Sequence, residues 1–198
     1  MIQCPFCKAP LTETSAACPQ CNLDLNRASA VLGPVPMLSN QGVTDLAGVL
    51  APKADRPLLQ ALGEFHLRFP QSRASILFQR FDPDYPVETH LFWLFNTAHI
   101  SGAENKHGAN RDLLIGIDPE QHSAGLMIGY GLEPFLPQQA LDHILVLARP
   151  ALEDGNFGEG ALDILDRLSR LMAGVCQELA ETVGIDGGQL VEERPSDY

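Results

Sequence analysis

The run LLIGIDPEQHSAGLMIGY, residues 113–130, contains two apolar segments separated by a polar turn. The apolar segments are residues 113–117 and 126–130, and residues 118–123 between them, DPEQHS, favour a turn. Short apolar runs bounded by turn-forming residues are typical of strands that are buried on both faces. We therefore predict a buried antiparallel pair of strands here.

Before this pair, apolar residues recur at helical spacing from Leu58 to Phe69. Pro57 favours the first turn of a helix that begins near Asp55, and Pro70 ends it. Residues 74–81 are rich in β-forming side chains and predict another strand, and residues 87–98 predict a second helix.

After the pair, Pro137 opens a predicted helix that Pro150 should kink or end. The last helix has the clearest apolar stripe in the sequence, formed by Ala161, Leu165, Leu168, Met172, Val175 and Leu179. Helices that flank a small, buried, mixed sheet indicate a layered α/β domain.

Composition divides the 198 residues into four segments. Residues 1–27 hold four of the five cysteines, and residues 28–42, with two prolines and two glycines, predict an extended linker. Residues 43–184 carry the dense apolar periodicity of the α/β domain. Residues 185–198 are predicted to be a flexible acidic tail.

The charge balance excludes some classes of function. The chain has 25 acidic and 13 basic side chains, a formal net charge of -12. Binding to nucleic acid or to an anionic membrane needs a basic surface, so we expect neither. An acidic protein suits divalent cations or a basic protein partner. The opening residues MIQCPFC lack the apolar run of a secretory signal, and we expect a cytoplasmic protein without a membrane span.

Cys4-Pro-Phe-Cys7 and Cys18-Pro-Gln-Cys21 are two CxxC pairs separated by ten residues. Two such pairs can surround one metal ion with four thiolates, which predicts a structural zinc ribbon over residues 1–27. The alternative is a redox-active dithiol, but such a motif would not occur in duplicate. The fifth cysteine, Cys176, lies among core positions of the last helix and is predicted to be a buried, inert thiol.

The ribbon carries Lys8 and Arg27 against Glu13 and Asp24, so its charges balance. This balance argues against nucleic-acid binding. It favours docking of the ribbon on its own chain or on a protein partner.

The motif GYGLE, residues 129–133, follows a predicted strand and precedes a helix. As a dinucleotide-binding fingerprint it lacks the third glycine, because Pro134 stands in that place. Alternatively, the two glycines only allow a sharp turn away from the sheet, which leaves Glu133 unexplained.

GYGLE, the segment 137–165 that follows it and VTDLAGVL at residues 43–50 together resemble the TPM domain, over about residues 43–171. The resemblance implies a three-layer α/β/α sandwich around a small mixed sheet. It also implies divalent-metal binding in some members and the acid phosphatase activity proposed for plastid members.

The chain departs from the family pattern at several places. Pro137-Gln138 stands where the family often has Thr-Asp, so one acidic ligand is lost. Gly125 and Met127 replace charged residues in the strand before GYGLE. This second departure suggests a sheet face that is covered, with the zinc ribbon as a candidate cover.

Asp45 and Glu133 are the acidic positions that match the family, and Asp118 is added from its place at the end of a predicted strand. Such carboxylates, if they converge, would hold calcium or magnesium and orient a phosphate ester. The alternative is capping, with Asp45 at a turn and Glu133 at a helix start.

Two functions therefore stay open. One is a binding or accessory protein that carries a zinc ribbon, and the other is a divalent-metal-assisted acid phosphatase acting on phosphomonoesters.

Overall fold

The computed structural model describes residues 4, 6–12, 15–33, 35–97 and 111–183. Within these ranges, helices and strands alternate along most of the chain. They are α1 (Leu25–Leu32), β1 (Val43–Asp45), α2 (Asp55–Arg68), β2 (Ala74–Phe78), α3 (Val87–Thr97), β3 (Leu113–Asp118), β4 (Ser123–Ile128), α4 (Gln138–Glu153) and α5 (Phe157–Val183).

The four strands form one sheet in the order β1-β2-β3-β4. The first three are parallel, and β4 returns antiparallel to β3, so that Ile115 is paired with Ile76 on one side and Leu126 on the other. The predicted mixed sheet and its antiparallel pair are confirmed. Every residue of β2 and β3 is buried, which explains why their sequences are apolar without alternation.

Helices cover both faces of the sheet. Leu113, Ile115 and Ile117 of β3 belong to a core shared with α2, α4 and α5. Leu114 points to the other face, where it packs with Leu91 of α3. Successive side chains of a strand alternate between faces, so one buried strand serves both layers. The predicted three-layer α/β/α sandwich is confirmed, and α2 and α3 lie on opposite faces.

Two glycines let α3 approach the sheet closely. Gly116 and Gly125 are cross-strand partners, and both face Leu91. A Cβ built on Gly116 would lie 2.3 Å from Leu91 Cδ2, and one on Gly125 would lie 2.8 Å from Leu91 Cδ1. The sheet face expected to lie beneath the zinc ribbon is thus covered by α3 at Gly125.

Several predicted boundaries shift. The strand predicted over residues 74–81 ends at Phe78, and the strand predicted over 126–130 instead spans Ser123–Ile128. The turn is shorter than expected because His122, at φ 50°, reverses the chain in a left-handed conformation. The linker predicted over residues 28–42 begins within α1. Asp24 caps the N-terminus of this helix, where its side chain accepts a hydrogen bond from the Arg27 N–H.

Pro150 does not end α4, which continues to Glu153. The Asp154 N–H still donates to the Pro150 carbonyl at 3.0 Å, so the last turn keeps its hydrogen bonding. Proline has no N–H, so α4 loses one backbone hydrogen bond at Pro150, which lies on the exposed face of the helix.

The apolar stripe of α5 is buried only in its first half. Met172 is the last buried residue of this helix within the described range, and Leu179 is 44% exposed. Cys176 is exposed rather than buried, because the helix extends beyond the layer that covers its first half. The predicted tail, residues 185–198, lies outside the described residues. Across the described ranges, none of the helices combines the length and apolarity needed to cross a bilayer.

Candidate metal centre

The two CxxC segments fold into similar turns. In the first, the Cys4 N–H donates to the Ala9 carbonyl at 2.8 Å and the Lys8 N–H to the Cys4 carbonyl at 2.9 Å. In the second, the Cys18 N–H donates to the Leu23 carbonyl at 2.9 Å and the Asn22 N–H to the Cys18 carbonyl at 2.8 Å. Lys8 and Asn22 have φ of 59° and 56°, the left-handed conformation that closes each turn.

The turns bring the four predicted ligands together. All four Sγ atoms lie within 4.8 Å of one another, with Cys4–Cys21 at 3.7 Å and Cys7–Cys18 at 3.5 Å. These separations are too long for disulfides, whose sulfurs are about 2.05 Å apart. A tetrahedral ion with bonds of about 2.3 Å to four sulfurs places them about 3.8 Å apart. The thiol arrangement therefore fits a four-thiolate metal ion.

The environments of the thiols differ. The Cys21 backbone N–H stabilises the thiolate of Cys18 and lowers its pKa to about 6. Burial raises the pKa of Cys4 and of Cys21, because a thiolate there loses solvation. Cys18 is therefore the most readily ionised of these three thiols.

The cysteine segments contact the α/β domain at α3 and at the turn before it. Phe6 packs against Tyr85 with ring centroids 5.7 Å apart, and Lys8 Nζ lies 3.8 Å from Glu88 Oε1. After α1, the Trp93 indole N–H donates to the Gly33 carbonyl at 3.3 Å. The candidate metal centre thus rests beside the outer face of α3.

Asp45 and Asp118 organise backbone at the carboxyl edge of the parallel strands. Asp45 accepts from the N–H groups of residues 48–50 at 2.7–3.3 Å. Asp118 is fully buried, and its oxygens accept from the N–H groups of Phe81, Glu120 and Gln121 and from the Gln121 side chain. Both carboxylates therefore have a structural role, and β2 lies between their strands, so their backbones are about 10 Å apart.

Glu133 lies at the opposite end of the strands, near their amino ends in the parallel part of the sheet. It follows β4, which runs antiparallel, and the last residue of β4, Ile128, is paired with the first residue of β3, Leu113. Asp118 is at the far end of β3, so the structure does not bring Glu133 to Asp45 and Asp118. In the described part of the chain, the four cysteines are the one group of three or more candidate ligands with atoms this close together.

A family model of the TPM domain matches residues 43–171. The chain belongs to the TPM-domain family. The match contains Asp45, Asp118 and Glu133 and leaves out the four cysteines, so the candidate metal centre lies outside the matched TPM domain.

Solved structures are similar to this chain. The solution NMR structure of the N-terminal domain of a protein from P. gingivalis has a TM-score of 0.57 at 22% identity, over 72% of this chain and 94% of that chain. This likeness shows the fold alone. The N-terminal domain of cg2496 protein from Corynebacterium glutamicum has a TM-score of 0.49 at 18% identity, over 85% of this chain and 97% of that chain. No curated protein matches this chain.

A cavity of about 500 Å³ lies where the TPM domain meets the cysteine segments. Its lining comes from α3, β4, the GYGLE loop and α4, together with Cys4 and Lys8. Sequence reasoning missed this cavity because its lining residues are scattered over five segments that only the fold brings together. The signal that points to it is the placement of β4 at the end of the strand order.

Proposed function

We propose that this protein is a binding or accessory module in which a structural zinc ribbon is joined to a TPM domain. The observation that carries the proposal is the convergence of the four thiols, with Sγ separations close to those of a tetrahedral four-sulfur ion. Four protein ligands leave no open position on the metal for substrate, which is the arrangement of structural zinc sites.

Zinc would supply the folding energy that the ribbon otherwise lacks. A segment below about 40 residues rarely builds a sufficient core of its own. A four-thiolate zinc site contributes on the order of 10–16 kcal/mol of apparent binding energy, which becomes folding energy. A reducing compartment keeps such thiols available for metal, which supports the cytoplasmic location expected from the sequence.

Metal analysis of freshly purified, reduced protein tests the ribbon. We expect one zinc per chain, and we expect Cys4→Ser and Cys21→Ser to lose it. The matched control is Cys176→Ser, since this cysteine is exposed and remote from the ribbon in sequence, and it should retain the zinc. Wild-type protein without zinc would overturn the proposal, as would full retention of zinc in the Cys4 and Cys21 variants.

The alternative proposal is an acid phosphatase that uses calcium or magnesium. The family resemblance supports it, whereas the geometry of the three carboxylates favours the binding role, because Asp45 and Asp118 hold backbone N–H groups and Glu133 lies at the opposite edge. Purified protein with Mg²⁺ or Ca²⁺ should therefore not hydrolyse p-nitrophenyl phosphate at acidic pH. Turnover that Asp45→Asn abolishes, in a variant with an unchanged melting curve, would establish the phosphatase instead.

A further inference from the structure

The outer edge of the sheet offers backbone groups for pairing. In the described part of the chain, β4 has a strand neighbour on one side only. The Gly129 N–H donates to the Asp112 carbonyl at 2.9 Å, in the same register as the β3–β4 pairs. Gly129 and Asp112 are therefore a hydrogen-bonded pair. Because hydrogen-bonded and non-hydrogen-bonded pairs alternate in an antiparallel ladder, Ile128 and Leu126 belong to non-hydrogen-bonded pairs, and their N–H and C=O groups point away from β3.

These outward groups lie in the cavity of about 500 Å³ described above. On one side α3 contributes Phe92 and Phe95, and on the other α4 contributes Leu141 and Leu145. β4, Ser123–Ile128, covers about 17 Å, which is long enough to pair with an extended peptide of five residues. A strand added here would direct alternate side chains to the two apolar walls.

The cavity is acidic. Its charged lining residues are Glu88, Glu133, Asp142 and Lys8, three carboxylates against one ammonium. Lys8 lies 3.8 Å from Glu88, so the remaining negative charge is concentrated at Glu133 and Asp142. A second copy of this chain, with a net charge of -12, would bring more negative charge to this edge, whereas a basic segment would complement it.

We propose that β4 binds a basic, extended segment of a protein partner, which adds a fifth strand to the sheet. The segment has apolar residues in its middle and Lys or Arg at its ends. Main-chain hydrogen bonds to Leu126 and Ile128 provide affinity, and the apolar walls and the acidic residues provide selectivity. The inference rests on the proposed role as a binding module and names the chemistry of its partner.

The probe is the capped peptide acetyl-Lys-Val-Leu-Val-Lys-amide, titrated into zinc-loaded full-length protein. We expect the amide hydrogens of Leu126 and Ile128 to exchange quickly in the free chain and at least tenfold more slowly with the peptide. Two control peptides test the mode of binding: one has glutamate at both ends, and the other is N-methylated at its three central residues. Each should bind at least tenfold more weakly.

Protein variants test the same surface from the other side. Glu133→Lys combined with Asp142→Lys should weaken binding of the lysine peptide about tenfold. The matched control is Glu153→Lys combined with Asp154→Lys, which makes the same change in net charge at exposed positions outside the cavity lining and should bind normally. Leu126→Pro removes an outward N–H while sparing the bonds to β3, and it should also weaken binding.

Three results would overturn the inference. The first is failure of a folded, zinc-loaded protein to bind the lysine peptide, or equal binding of the control peptides. The second is slow exchange of both amides in the free, dilute protein, which would mean that the chain itself covers the edge. The third is protection that grows with protein concentration together with dimer mass in sedimentation, which would indicate pairing between copies. Zinc content and phosphate-ester turnover, measured on the same preparation, test the proposed function separately.

Discussion

The close approach of α3 to the sheet predicts a strong coupling between Gly116 and Leu91. In Gly116→Ala the new Cβ would lie 2.3 Å from Leu91 Cδ2, whereas ordinary contacts begin near 3.4 Å. Leu91 must then retreat by about 1 Å, although it is fully buried and also faces Gly125. Overpacking of this kind costs about 1–3 kcal/mol of the free energy of unfolding.

Leu91→Ala alone should cost about 2–5 kcal/mol, because it leaves a cavity in a closed core. With Leu91 shortened, the clash disappears and Gly116→Ala should be neutral or stabilising by about 0.5–1 kcal/mol, since alanine restricts the unfolded chain more than glycine does. The free energy of unfolding of the double mutant should therefore exceed the value expected from adding the two single effects by about 2 kcal/mol. This difference lies within the range of interaction energies measured for residues in contact.

Urea unfolding of the zinc-loaded protein measures this cycle, with equal m-values as the condition for comparing the four proteins. Gly63→Ala provides the control, because a Cβ at this exposed helical position meets no atom within 4 Å. It should stabilise by about 0.5–1 kcal/mol, equally in the wild-type protein and in the Leu91→Ala variant. Additive effects of Gly116→Ala and Leu91→Ala would refute the packing argument.

Three further predictions concern stability. Asp118→Ala leaves the Phe81 N–H without its acceptor at 3.0 Å and should cost about 1–3 kcal/mol by urea unfolding, and an unchanged midpoint would contradict this role. Pro150→Ala lies on an exposed face inside α4 and should stabilise by about 1–3 kcal/mol, which a melting curve at or below the wild-type temperature would disprove. Burial lowers the pKa of His66, whose Nε2 accepts from the Ala74 N–H at 3.1 Å, so the unfolded chain binds the proton more readily. The stability from neutral His66 is full above the ordinary histidine pKa near 6.5 and is lost as the pH falls, and His66→Gln should remove this component of the pH dependence of urea unfolding.

The sequence predicted the fold correctly where the apolar residues of a helix or strand are also the residues that neighbouring elements bury. The first half of the α5 stripe is buried because the sheet and its neighbouring helices face it, and the strands at Ala74 and Leu113 are apolar because helices cover both of their faces. The second half of the stripe has the same spacing but no such cover, so Cys176 and Leu179 are exposed. Periodicity predicts which side of a helix is apolar, and it does not predict where the cover ends.

The candidate site divides in the same way. Four cysteines at CxxC spacing converge through local turns, so their grouping follows from nearby residues alone. Convergence of Asp45, Asp118 and Glu133 depends on the direction of every strand that carries them. Reversal of a single strand, β4, is enough to place Glu133 at the opposite edge of the sheet. A list of acidic residues does not contain that information.

The placement of α2 and α3 has a consequence for the handedness of the chain. The connections β1-α2-β2 and β2-α3-β3 step across the sheet in the same direction, with their helices on opposite faces. Two such crossovers have opposite hands, so one of them is left-handed, although about 98% of crossovers are right-handed. The strand twist that normally guides a helix back onto its sheet does not favour that unit. Side-chain packing must therefore hold the helix of that unit in place. For α3, the two glycines that face Leu91 allow this packing to be close.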